Sequence, residues 1–93
     1  MNIKMTTHAA TRQQQRSIPP LIMDWLTSYG TACHDHRGAE ILYFDKRSRK
    51  TLAKDVGDTV VNRLAGWLDT YAVISGDGAV ITVGHRYKRI KGH

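Results

Sequence analysis

The sequence predicts a small α+β domain: one antiparallel sheet of about four strands with helices packed against it, in the order ααββααββ. Two segments, 20–29 and 58–71, repeat apolar residues at the spacing of three and four that is typical of amphipathic helices. Two further segments, 31–44 and 71–83, have strand-like runs separated by glycine-containing turns. A chain of 93 residues can enclose one modest core, so we expect a single domain.

The first helix is predicted over residues 7–16, after a threonine cap. Its only apolar residues are alanines, so it must depend on the rest of the domain for stability. Pro19 and Pro20 end it. Residues 1–6 are polar and are expected to be frayed, which leaves residues 7–93 as the domain with a basic C-terminal tail.

The second helix begins at Pro20, where a missing N–H costs nothing, and ends before Gly30, the expected C′ glycine. A first hairpin follows, with strands over 31–35 and 39–44. Its second strand is apolar on both faces and is therefore expected to be central and covered on both sides. Ile41 and Tyr43 are assigned to one face, Leu42 and Phe44 to the other.

Asp45 is predicted to cap a basic third helix, Lys46 to Val56. Asp58 is predicted to cap a fourth, whose apolar stripe begins at Val60, extends through Trp67 to Tyr71 and is expected to pack on the sheet. Trp25 and Trp67 are both interpreted as core residues. The final hairpin turns at Gly76-Asp77-Gly78, because Asp and Gly tolerate the positive φ angles of tight turns.

Cys33 is the only cysteine, which excludes an internal disulfide and a multi-cysteine metal site. We interpret it as a buried small hydrophobe. His34 and His36 have a spacing that metal sites use, but no third ligand is evident, so neither a metal nor another cofactor is predicted. Catalytic carboxylate pairs, a Ser-His-Asp arrangement and phosphate-binding glycine loops are not evident either.

The net charge of +6 arises entirely after residue 45. Such an asymmetry indicates an anionic partner, of which nucleic acid is the main class and an acidic protein the other. On the N-terminal helix, His8 is followed at intervals of four by two arginines that would share its face. The residues predicted to bind nucleic acid are Arg12, Arg16, Lys46, Arg47, Arg49, Lys50, Lys88, Arg89 and Lys91.

The last strand leads into His85, Arg86 and Tyr87, which are the best candidates for chemistry. Cleavage of RNA without a metal needs an acid–base group and cations around the phosphate, and these side chains supply both. His8 is the candidate second histidine. A basic tail that contacts phosphates without cleaving RNA would account for the presence of the same residues.

The pattern of three segments resembles a group of small proteins encoded on bacterial plasmids and integrated elements, a group that has no assigned activity. The segments are His8-x3-Arg12-x3-Arg16 with Ile18-Pro19, Gly38 to Arg47, and Val80 to Ile90. The layout is more distantly similar to RelE- and BrnT-type ribonuclease toxins. This resemblance implies metal-independent RNA cleavage by residues at the end of the sheet and an antitoxin as an acidic protein partner. This chain differs from RelE-like order by two helices between its hairpins.

We therefore predict a protein that binds nucleic acid, RNA rather than DNA, and that acts as a toxin-like ribonuclease or by binding alone. The alternative is a non-catalytic DNA- or protein-binding accessory factor of a mobile element. The chain has no apolar membrane-length stretch and no signal-peptide core near Met1, so the expected location is the cytoplasm.

Overall fold

The computed structural model describes residues 4–34 and 38–85, and it confirms the α+β class and the ααββααββ order. The helices and strands follow one another along the chain with short connections. They are α1 (Thr7–Gln15), α2 (Pro20–Tyr29), β1 (Thr31–His34), β2 (Glu40–Tyr43), α3 (Lys46–Val56), α4 (Asp58–Arg63), a 3₁₀ turn (Ala65–Trp67), β3 (Thr70–Ile74) and β4 (Val80–His85).

The four strands form one antiparallel sheet in the order β1-β2-β3-β4. The predicted Asp-Gly turn joins β3 to β4, with Gly78 at φ 87°. Ile74 pairs with Val80 whereas Val73 pairs with Thr82, so β4 carries one extra residue in a bulge. Because a bulge resets the alternation of side chains, Val80 and Val83 both reach the core.

The hydrophobic core lies on one face of the sheet, between the strands and all four helices. Leu42, Ala72 and Val83 are cross-strand neighbours on that face. Ile41 and Tyr43 alternate to the opposite face and do not belong to the core cluster. The prediction that β2 is central is confirmed, and on its second face Tyr43 is buried although it lies outside the core cluster.

The segment before α1 differs from the prediction of a frayed terminus. The Thr6 amide donates to the Val80 carbonyl at 2.9 Å, and the Val80 amide donates to the Lys4 carbonyl at 2.9 Å. Met5 thus forms a parallel bridge with β4. The Thr6 hydroxyl accepts from the Ala9 amide and caps α1. Backbone pairing with the edge of β4 therefore orders Lys4, Met5 and Thr6.

Gly30 ends α2 as predicted, but not in the left-handed conformation of a C′ glycine. Its φ of −61° and ψ of 155° are extended. Glycine is needed here for space, because a Cβ at this position would lie 2.3 Å from the Leu26 carbonyl oxygen. Its amide donates to that same oxygen at 2.9 Å.

The long fourth helix predicted over 58–71 is wrong. The α-helix stops at Arg63, a 3₁₀ turn follows, and β3 begins at Thr70. Gly66 disfavours a helix at this point. From Thr70 onward the backbone instead pairs with β2 and β4 as strand β3. As a result Val60 is 41% exposed and Trp67 is only half-buried, whereas Trp25 is buried as predicted.

Candidate nucleic-acid interface

One face of α3 is cationic along its whole length. At about 100° per residue, the four side chains concerned fall within an arc of about 100°. All four are exposed, and Leu52 on the opposite side is fully buried in the core. We call this set, which consists of Lys46, Arg47, Lys50 and Lys54, the α3 cationic face. Lys54 extends the predicted basic run by one helical turn and was not among the predicted binding residues.

A capping box holds the start of α3. The Ser48 amide donates to Asp45 Oδ1 at 2.7 Å, and the Asp45 amide donates to Ser48 Oγ at 2.8 Å. No acidic residue occupies the first turn, which instead holds Lys46 and Arg47. Cations there oppose the positive end of the helix dipole, so this arrangement costs stability.

Asp45 makes the stability of α3 depend on pH. The Ser48 amide, and after it hydrogen bonds from Thr31 and Ser48 and the nearby Arg47, lower the pKa of the Asp45 carboxyl despite its partial burial. A carboxyl whose pKa is lowered on folding contributes stability above its unfolded pKa of about 3.9, and this is lost as pH falls through the folded value.

Asp45→Ala should therefore reduce the free energy of unfolding by about 1 kcal/mol at neutral pH, as for other lost N-caps. The difference from the native protein should shrink in acid. Urea unfolding at neutral and acidic pH measures it, and Asp45→Asn is the matched control because asparagine caps without a charge. A loss that is the same at every pH would show that the carboxylate charge is not involved.

Arg49 belongs to the predicted basic run, but the structure engages its half-buried side chain in hydrogen bonds within the fold. Its Nη2 donates to the Leu68 carbonyl at 3.0 Å and to Asp69 Oδ1 at 3.5 Å, and its Nε donates to the Phe44 carbonyl at 3.4 Å. The guanidinium therefore links α3 to the residue that follows β2, Phe44, and to a residue shortly before β3, Leu68. Its charge is engaged within the fold and is less available to a ligand than that of its neighbours.

The structure brings together an aromatic pair that the sequence did not indicate. The Trp67 and His85 rings lie 5.4 Å apart between centroids, with 32° between their planes. Both residues are half-buried. His85 is the direct cross-strand partner of Thr70, whose buried Oγ1 has no hydrogen-bond partner among the described residues. Trp67 was not among the predicted site residues, because its position on an apolar stripe indicated a core residue.

The two predicted histidines belong to elements that meet at one end of β4 and end at the other: α1 starts beside Val80, and His85 is the last residue of the strand. His8 is exposed in the first turn of α1, which begins beside Val80, and His85 ends the same strand. Five residues of extended chain separate the two ends of β4 by about 16 Å. Arg12 and Arg16 follow His8 and are half-buried, with Arg16 at the C-cap. The structure therefore gives no support to two histidines acting on one phosphate.

Several predicted site residues lie outside the described part of the chain. They are Arg86, Tyr87, Lys88, Arg89 and Lys91. The same holds for His36 of the His-x-His pair, while Cys33 is buried as predicted. Within residues 4–34 and 38–85, no group of three or more His, Cys, Asp or Glu side chains is placed to hold a metal ion.

No protein-family model, curated protein or solved structure matches this chain. The helices of the described ranges are all too short or too polar to cross a membrane.

Proposed function

We propose that this protein binds nucleic acid, RNA in preference to DNA, through the α3 cationic face. The observation that carries the proposal is four exposed cations on one side of a helix whose other side is core. Within the described residues, the ion pairs are Lys4 with Asp77 and Arg49 with Asp69. None of the four belongs to these ion pairs, and Arg47 alone of the four interacts electrostatically with a described acidic residue whose pKa it lowers, Asp45 at the helix cap.

The geometry suits a phosphate backbone. From Lys46 to Lys54 the face extends about 12 Å along the helix. Flexible side chains at one-turn intervals contact successive phosphates of a strand, and release of the bound counterions supplies most of the affinity. Such contacts position a nucleic acid without reading its bases. The tail after His85 adds further positive charge in the sequence.

The salt dependence of binding tests this proposal. Lys50→Gln/Lys54→Gln should reduce the slope of log affinity against log salt by about 1.4–1.8, since each lost phosphate contact accounts for about 0.7–0.9. The matched control is Lys4→Gln/Arg63→Gln, which removes the same charge from other elements and should leave the slope nearly unchanged. Fluorescence anisotropy with labelled RNA and DNA over a salt series measures both.

Absence of binding to RNA and DNA at low salt would overturn the proposal and favour an acidic protein, such as an antitoxin, as the partner. Equal reductions by the two double variants would show that net charge, and not this face, governs binding.

Metal-independent RNA cleavage is the second candidate function. It is favoured by the position of His85 at the end of β4, where the basic tail begins. Degradation of RNA in the presence of EDTA, abolished in His85→Ala at saturating RNA, supports it. Binding of DNA as tightly as RNA without degradation favours an accessory factor of a mobile element. Either activity fits a cytoplasmic location, which we include in the proposal.

A further inference from the structure

We propose that Trp67 and His85 form a stacking site for an unpaired base of single-stranded RNA, beside the α3 cationic face. This inference rests on the proposed function and gives it a substrate class. Cations that hold the backbone and flat rings that accept the bases are the combination by which proteins bind single strands without reading much sequence.

The aromatic pair is built by contacts between distant parts of the chain. Trp67 ends the 3₁₀ turn that replaces the predicted helix, and this places its indole against the His85 imidazole at the end of β4. Both residues are partly exposed, and Trp67 also packs against the core cluster. An indole and an imidazole offer π-faces on which any base can stack, with the ring separation of 5.4 Å typical of aromatic contacts.

The cationic face and the aromatic pair are neighbours. Arg49 joins them, because its guanidinium donates to the carbonyl of Leu68, the residue directly after Trp67. Lys46 lies one helical turn before Arg49 and Lys50 lies next to it. The helix that we propose to hold the phosphates is thus joined through Arg49 to the residue next to Trp67.

A second observation at this place is independent of the rings. Thr70 pairs directly with His85, is fully buried, and its Oγ1 lacks a hydrogen-bond partner among the described residues. A buried hydroxyl without a partner is costly and needs an explanation. Here the hydroxyl lies on the same face of the sheet as the His85 side chain, so a reorientation of the imidazole on binding a base would bring a partner to it.

Three probes separate stacking from charge: an oligouridine single strand, an RNA duplex of the same length, and inorganic polyphosphate, which has charges but no bases. Trp67→Leu should weaken binding of the single strand by about fivefold or more, the effect of losing one base–aromatic stack. It should leave polyphosphate binding unchanged. Lys50→Gln/Lys54→Gln should weaken binding of all three. In the native protein the single strand, unlike the duplex, should quench tryptophan fluorescence, and Trp67→Leu should remove this quenching.

Trp67→Phe is the control that distinguishes loss of stacking from misfolding. It keeps an aromatic ring at the site and should bind the single strand nearly as well as the native protein. The stacking site is disproved if Trp67→Leu binds the single strand normally, or if it loses polyphosphate equally. If the native protein binds none of the probes, the proposed function itself fails. Normal polyphosphate binding with no preference for single strands would refute only the stacking site.

Discussion

Phe44→Ala should lower the free energy of unfolding by about 3–5 kcal/mol, the usual cost of removing a large aromatic side chain from a core. Phe44 is fully buried in the core cluster, just after β2 and immediately before the cap of α3. Its removal leaves a cavity between the sheet and the helices that Leu52 alone cannot fill. Urea unfolding followed by circular dichroism measures the loss.

Val60→Ala is the informative control for this change. The spacing of apolar residues assigned Val60 to the core, but the structure exposes 41% of it. We expect a change within about 0.5 kcal/mol, as for other surface positions. A loss at Val60 comparable with that at Phe44 would mean that α4 packs as the sequence indicated and not as the structure shows.

Arg49→Ala should cost about 1.5–3 kcal/mol, in the range of hydrogen bonds made by charged groups. The change removes the Nε donor to the Phe44 carbonyl and the Nη2 donor to the Leu68 carbonyl, and with them the link between α3 and the residues before β3. Arg49→Lys should not restore the loss, because a single ammonium cannot reach two carbonyls with the geometry of a guanidinium. Thermal or urea unfolding measures it.

Lys50→Ala, at the next position, is the matched comparison and should leave stability within about 0.5 kcal/mol while it weakens nucleic-acid binding. The opposite pattern, with Arg49→Ala neutral for stability and harmful for binding, would make Arg49 a phosphate ligand and contradict the internal role assigned to it here.

The features that could be predicted from sequence are those decided by neighbouring residues. The turn at Gly76-Asp77-Gly78 needs only the local backbone freedom of its own residues. The cap at Asp45 and the start of α2 at Pro20 depend on side chains within one turn. For the same reason the element order and the basic character of α3 were predictable.

The failures have tertiary causes. An apolar spacing of three and four predicted a helix through Tyr71. Pairing of β3 with β2 and β4 stabilises the fold more than the last helical turns would. The terminal residues around Met5 were expected to be frayed because nothing local orders them, and the edge of β4 does.

By itself, the sequence determined the α+β class, the order of its elements and the concentration of positive charge after residue 45, since periodicity, caps, turns and composition are local properties. Only the tertiary structure decided which cations are engaged within the fold: it bonded Arg49 to the Leu68 carbonyl and left Lys50 exposed. It also paired Trp67 with His85 and joined Thr6, the residue before α1, to Val80 at the other end of β4. These outcomes depend on contacts between residues far apart in the chain, which no local pattern encodes.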